Sequence, residues 1–174
     1  ELGRADDSGA GCGCAYPMDV DDAVVERSNA IQQALNRTVH GLPGMAANLA
    51  ARPSTALVSV AGRRVAISHG DEQSLAGWSC SRESLSAPAR QQQLDSWFVA
   101  NNVQVLATSH TCSAVAMSLE HGTLINNGAA GLPNFAGGRY GLLSRIASTP
   151  HPAALYRCQR NGLYIEALPL NYDH

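Results

Sequence analysis

The side chains best suited to chemistry are two histidines and a cysteine that follow short apolar runs. His69 comes just after residues 65–67, and His110 comes just after residues 103–107. Cys112 stands two residues beyond His110, so both side chains can point to the same side of the chain. Imidazole nitrogen and thiolate sulfur suit zinc, iron or manganese. We therefore predict that His69, His110 and Cys112 bind a divalent transition metal (manganese, iron or zinc).

Polar residues close to these three have predicted supporting roles. Asp71 is well placed to accept a hydrogen bond from a ligating histidine and so to orient it. Asn126, Asn127 and Gly128 end the next strand and offer amide donors and free backbone N–H groups to a phosphate. The residues around His69 alone also fit a structural histidine that hydrogen bonds to its own turn.

The two histidines can meet only if their strands are neighbours in one sheet. Residues 56–60 and 65–67 predict a β-hairpin whose second arm is mostly buried. A helix over residues 88–101 and a strand over residues 103–107 follow, which is the order of a right-handed βαβ unit. Parallel neighbours of this kind end at the same sheet edge, where α/β proteins place their sites.

The rest of the chain predicts helices early and hairpins late. A helix is expected over about residues 21–37, and the Asn161-Gly162 pair marks a hairpin turn. The fold class is therefore α/β, with a mixed β-sheet and flanking helices in a single domain of residues 1–174. The further strands are predicted at residues 114–119, 123–126, 140–147, 154–159 and 163–168.

Composition excludes several classes of partner. The 174 residues include twelve arginines, no lysine and fourteen acidic residues, so that a net charge of −2 leaves no sequence-wide basic surface for nucleic acid. No apolar run approaches the roughly 18 residues that a membrane span requires, and the first residues show no signal pattern. Five cysteines are too few for a disulfide scaffold. These features predict a cytoplasmic protein with no nucleic-acid or membrane partner.

Three ordered motifs resemble the C-terminal half of the calcineurin-like metallophosphoesterase superfamily, in particular its bacterial members. They are residues 68–71 (Ser-His-Gly-Asp), residues 109–112 (Ser-His-Thr-Cys) and residues 126–128 (Asn-Asn-Gly). In the family an isolated histidine is followed by Gly-His-x-His and then by an Asn-Pro-Gly-Ser turn. By this resemblance His69 and His110 match family histidines, whereas Cys112 replaces the last histidine.

The resemblance implies a four-layer α/β/β/α sandwich in which metal-activated hydroxide attacks a phosphate ester. The upstream motifs of the family are absent from these 174 residues, so we expect the chain to be the C-terminal portion of such a domain. Because Cys112 stands in place of a histidine, one metal is a safer expectation than two. Half of a two-sheet sandwich would expose an apolar face, which predicts self-association or pairing with the missing N-terminal half.

Three functions remain open at this level. The first is a metal-dependent phosphoesterase that hydrolyses small phosphate mono- or diesters. The second is a non-catalytic binding or scaffold module that keeps the fold without a complete di-metal site. The third is a structural zinc site formed by Cys12, Cys14 and Cys112.

Overall fold

The computed structural model describes residues 13, 14, 16, 18, 20–132 and 135–171. Contacts divide the chain into two compact units, Glu1–Ser54 and Thr55–His174, and each is described by itself. The prediction of one domain, the C-terminal part of a metallophosphoesterase domain, stays a prediction. Cys12, which the structural zinc hypothesis requires, lies outside the described residues.

The first unit contains two helices, α1 (Asp22–Gly41) and α2 (Met45–Ala50). Asp21 caps α1, because its side chain accepts a hydrogen bond of 2.7 Å from the backbone N–H of Ala23. The predicted helix is confirmed and continues beyond residue 37, since no helix breaker occurs before Gly41.

The second unit begins with a five-stranded mixed sheet, called sheet A, with strand order β1-β2-β3-β5-β4. Helix α3 (Pro88–Asn101) joins β2 to β3, and these two strands are parallel, so the predicted βαβ unit is confirmed. The strands of sheet A are β1 (Ala56–Val60), β2 (Arg63–Ile67), β3 (Val105–Thr108), β4 (Val115–Ser118) and β5 (Thr123–Asn126).

A second, three-stranded antiparallel sheet, called sheet B, has the order β6-β8-β7. The turn between β7 and β8 places Asn161 and Gly162 at φ 51° and 81°, the left-handed conformation that this residue pair favours in tight hairpins. The strands of sheet B are β6 (Tyr140–Ala147), β7 (Tyr156–Arg160) and β8 (Leu163–Asn171). The predicted C-terminal hairpins are therefore confirmed.

The second unit is built in layers. Side chains on one face of sheet A, such as Val105 and Ile125, pack against Leu142 and Ile165 of sheet B. On the opposite face of sheet A, Leu106 and Leu124 pack against Leu94 and Phe98 of α3. Helix, sheet A and sheet B thus form three successive layers, and the predicted α/β class with a mixed sheet and flanking helices is confirmed. The fourth layer of the predicted sandwich stays a prediction.

The second arm of the first hairpin is less buried than its apolar residues predict. In β2 only Val65 is buried, whereas Ile67 is 42% exposed, so the prediction of a mostly buried arm was wrong. The reason is that Val65 belongs to the core between the two sheets and Ile67 lies outside it. None of the helices in the described part of the chain is both long and apolar enough to cross a membrane.

Candidate metal centre

His69 and His110 lie together at the edge where β2 and β3 end. The two strands pair in parallel with Ile67 opposite Ala107, which carries both histidines to the same edge of sheet A. His69 Nε2 and His110 Nδ1 are 3.1 Å apart, and the ring centroids are 4.9 Å apart. The predicted convergence of the two histidines is confirmed, while their role as metal ligands stays a prediction.

The turn that carries His110 has an unusual backbone. His110 and Cys112 adopt φ angles of 60° and 54°, in the left-handed region that residues other than glycine rarely occupy. The backbone N–H of Ser109 donates to the His69 carbonyl at 2.9 Å, and that of Thr111 donates to the Ser109 carbonyl at 2.7 Å. Two such residues within three positions indicate that the surrounding structure holds His110 in a defined place.

Trp78 packs against His110, one of the two histidines. Its ring lies edge-on to His110, with 5.1 Å between centroids, and His110 itself is 9% exposed. A single tryptophan such as Trp78 can either cover core or form the wall of a site. The structure places it beside the candidate ligand.

Cys112 does not join the two histidines in a group of three. Its sulfur donates a weak hydrogen bond of 3.6 Å to the His110 carbonyl, and burial raises the pKa of the thiol. Among the described residues, three or more His, Cys, Asp or Glu ligand atoms lie within 4.8 Å of one another only in the group Asp95, Glu120 and His121. The role of Cys112 as a ligand therefore stays a prediction.

Asp71 organises the loop that carries Trp78. The carboxylate is 4% exposed and accepts hydrogen bonds from the backbone N–H groups of Gln73, Ser74 and Ser79, at 2.9, 2.7 and 3.2 Å. Its carboxylate leaves no room for a side chain at residue 77, because a Cβ on that glycine would lie 1.9 Å from Asp71 Oδ2. Asp71 thus positions the loop, and its predicted hydrogen bond to a ligating histidine stays a prediction.

A buried ion pair that the sequence did not reveal anchors the same loop to α3. Arg90 donates to both carboxylate oxygens of Glu72 at 2.7 Å and to the Ser79 carbonyl at 2.9 Å. Cys80 is buried beside this pair, and burial together with the charge of Glu72 raises the pKa of its thiol to about 12. Spacing offered no signal for this contact, because 18 residues separate Glu72 from Arg90.

The side chain of Asn126 is occupied inside the protein. It is 1% exposed, and its Nδ2 donates to the Cys80 carbonyl at 3.1 Å and to Thr111 Oγ1 at 3.0 Å. Its Oδ1 accepts from the backbone N–H of Gly128 at 2.8 Å. Asn126 therefore ties the end of β5 to the turn beside His110.

Asn127 is held in the same way. Its backbone N–H donates to the Thr108 carbonyl at 3.2 Å, and its Nδ2 donates to the Leu142 carbonyl at 2.7 Å. The expectation that the backbone N–H groups of Asn127 and Gly128 are free was wrong, since a strand end in a packed core satisfies its own donors. Phosphate binding by Asn126, Asn127 and Gly128 stays a prediction.

The histidine pair fits a divalent transition metal. His69 Nε2 and His110 Nδ1 are hydrogen-bonded at 3.1 Å, so one of them carries the shared proton. Once that proton leaves, both nitrogens can bind one ion, since imidazole nitrogens bind such ions at about 2.1 Å.

A second group of possible ligands differs from the histidine pair in exposure and position. It consists of Asp95, Glu120 and His121, is largely exposed, and lies near the start of β5, whereas Asn126 ends that strand. There the Asp95 carboxylate contacts His121 Nδ1 at 2.6 Å and raises the pKa of that imidazole.

Fold and site together define an α/β protein with a histidine pair at the edge of a mixed sheet. Searches against protein-family models and against curated proteins gave no match. A solved structure of a hypothetical protein from Pyrococcus horikoshii is similar, with a TM-score of 0.54 and 9% sequence identity. The alignment covers 99% of this chain, which spans 59% of that protein's length. At this identity the similarity shows the fold alone.

Two further solved structures have lower scores. One is a protein from Streptococcus pneumoniae described as a predicted phosphoesterase, with a TM-score of 0.40 and 14% identity over 71% of this chain and 59% of that chain. The other is Vps29 from Entamoeba histolytica complexed with zinc, with a TM-score of 0.30 and 16% identity over 68% of this chain and 61% of that chain.

Proposed function

We propose that the chain is part of a metal-dependent phosphoesterase that hydrolyses small phosphate mono- or diesters. The observation that supports this proposal most directly is the 3.1 Å separation of His69 Nε2 and His110 Nδ1 at the ends of two parallel strands. A divalent transition metal (manganese, iron or zinc) bound there would supply a hydroxide nucleophile at neutral pH. The motif resemblance of residues 68–71 and 109–112 points to the same chemistry.

The residues around the pair have defined tasks in this proposal. His69 and His110 hold the ion, and Trp78 fixes the ring of His110 and limits its access to water. Asp71 holds the loop of Trp78 in place through its three backbone hydrogen bonds. Cys112 is a further ligand only if its side chain turns away from the His110 carbonyl.

The activity test compares three proteins on an aryl phosphate with added manganese. We expect hydrolysis by the intact polypeptide that contains this chain, a rate at least about a hundredfold lower in His69→Ala, and an unchanged rate in the control His40→Ala. His40 is an exposed residue of α1 and belongs to the other compact unit. Equal rates in wild type and His69→Ala would contradict the proposal.

A second candidate is a non-catalytic binding or scaffold module of the same fold. It is favoured by the hydrogen bonds that occupy Asn126, Asn127 and Gly128, the residues expected to bind phosphate. Elemental analysis separates the two functions. A chain with no bound metal and no activity after reconstitution with manganese would favour the scaffold.

We also propose that the chain self-associates or pairs with a missing N-terminal half. The first hairpin exposes apolar side chains, with Leu57, Val58 and Ile67 exposed by 53%, 40% and 42%. Exposed apolar area of this kind favours association. We expect concentration-dependent sedimentation in the micromolar range, and a monomer over that whole range would contradict self-association.

A further inference from the structure

A cavity of about 200 Å³ lies between the two sheets, on the side formed by β4 and β7. Its inner wall consists of small and aliphatic side chains from both sheets, Ala116, Ile125, Leu142 and Ala167. These residues also belong to or pack against the core between the sheets. The cavity is therefore a local opening in an otherwise closed apolar layer.

The mouth of the cavity is apolar and reaches the surface. Phe135, Leu155 and Tyr156 line it and are exposed by 45%, 56% and 39%. A ligand can therefore enter from solvent without displacing a buried side chain. An apolar cavity with apolar side chains at its mouth is a feature that small-molecule binding sites share.

The lining determines which ligands fit. None of the described residues that line the cavity carries a charge, and the amide of Asn126 already bonds to Cys80, Thr111 and Gly128. A charged ligand would lose its hydration and gain no charged partner from these residues, whereas an apolar group gains by leaving water. An apolar cavity of about 150 Å³ is large enough for benzene, so this volume suits a single ring.

The cavity adjoins the histidine pair through one short turn. Asn126 lines the cavity and donates to Thr111 Oγ1 at 3.0 Å, and Thr111 directly follows His110. Ala114, two residues after Cys112, also lines the cavity. Along the chain, only the turn formed by residues 111–114 therefore separates His110 from the residues that line the cavity.

We propose that this cavity binds an uncharged apolar group, a single aromatic ring or a short branched alkyl chain. This inference rests on the proposed function in one respect: under that function the bound group is the apolar part of the phosphate ester. The cavity then selects esters with such a group over esters of small polar alcohols.

Binding can be measured without catalysis, by titrating phenol into the full chain and following NMR chemical shifts. We expect saturable shifts for Ile125 and Ala167, which lie in the inner wall. The variant Ala116→Leu places an isobutyl group in the cavity and should abolish these shifts. The control Ala100→Leu, at an exposed position of α3, should keep them. Absent shifts in wild type, or equal shifts in the two variants, would overturn the proposal.

A second variant tests the same cavity if Ala116→Leu does not fold. Leu155 is 56% exposed, so Leu155→Asp leaves the core unchanged while it places a charge at the mouth. We expect phenol to bind at least about fivefold more weakly to this variant, because the apolar wall at the mouth is lost. Unchanged affinity would count against the cavity as the binding site.

Catalysis separates the two proposals. The preference for benzyl phosphate over methyl phosphate in kcat/KM should fall about tenfold in Ala116→Leu and stay constant in Ala100→Leu. Phenol binding in the cavity without hydrolysis of any ester would contradict the proposed function and support the apolar site. Hydrolysis with the same substrate preference in both variants would support the proposed function and contradict the apolar site.

Discussion

Two clusters of ionisable side chains differ in how they are completed, one around the buried Glu166 and one formed by the exposed His69 and the buried His110. On sheet B, Glu166 is 0% exposed and accepts hydrogen bonds from Arg145 and Arg157 at 2.6 Å and from the His151 backbone N–H at 3.0 Å. Burial alone raises the pKa of this carboxyl, but these hydrogen bonds outweigh it and lower the pKa to about 2. At the edge of sheet A, by contrast, the contact joins the nitrogen atoms of two like groups, His69 and His110.

The difference separates a structural cluster from a candidate site. Residues 165 and 167 face the core, so alternation places Glu166 on the outer face of sheet B, where opposite charges surround it. Such a cluster is complete within the protein and ties β6, β7 and β8 together. At the edge of sheet A, two imidazole nitrogens face each other at hydrogen-bond distance, and both are atoms that can bind a cation.

The largest effect on stability is expected from Glu166→Ala. The change leaves Arg145 and Arg157 side by side without their shared carboxylate, and we expect the free energy of unfolding to fall by about 3 kcal/mol. Chemical denaturation measures the change. The control Glu120→Ala removes a carboxylate that is 83% exposed and should cost less than about 0.5 kcal/mol. Equal losses in both variants would show that the Glu166 cluster is not structural.

A smaller loss of stability is expected from Asn126→Ala. Its amide connects Cys80, Thr111 and Gly128, so its loss leaves buried groups without partners and should cost about 2 kcal/mol. Asn101→Ala is the matched control, because that amide is exposed and contacts one carbonyl of its own helix. If Asn126→Ala lowers the affinity for phosphate but leaves the free energy of unfolding unchanged, Asn126 binds phosphate, as the sequence predicts, and the structural role is wrong.

The smallest expected effect is the change in the free energy of unfolding at acid pH that Glu166 causes. The pKa of Glu166 is about 2 in the folded chain against an ordinary value of 4.5. Its contribution to stability is therefore present above the ordinary value and is lost as the pH falls toward the folded value. Between pH 5 and pH 3 the free energy of unfolding should fall more in wild type than in Glu166→Gln. If the free energy of unfolding falls equally with pH in wild type and in Glu166→Gln, the lowered pKa of Glu166 is contradicted.

Much of the fold could be predicted because local signals agree with tertiary packing. The ends of α3, β1, β5 and β6 match the predicted residues, since proline, glycine and clear apolar runs mark them. The exposure of Ile67 could not be predicted, because it depends on how far sheet B covers sheet A. The residues of β2 do not determine how much of that strand sheet B covers.

The site was predicted in part for the same reason. Two histidines after two strand patterns predicted the contact between His69 and His110, because parallel neighbours end at one edge. The engagement of Asn126, the bonds of Asp71 to its loop and the ion pair of Glu72 with Arg90 depend on contacts that spacing does not encode. These contacts form the support of the candidate site rather than its ligands.

The most direct test of the histidine pair is calorimetric titration of manganese into wild type, His69→Ala and His121→Ala. His121 belongs to the exposed group with Asp95 and Glu120, so it serves as the control for binding elsewhere. We predict that His69→Ala weakens manganese binding at least about tenfold and that His121→Ala leaves it unchanged. Loss of binding in His121→Ala with full binding in His69→Ala would contradict the assignment of the metal to His69 and His110.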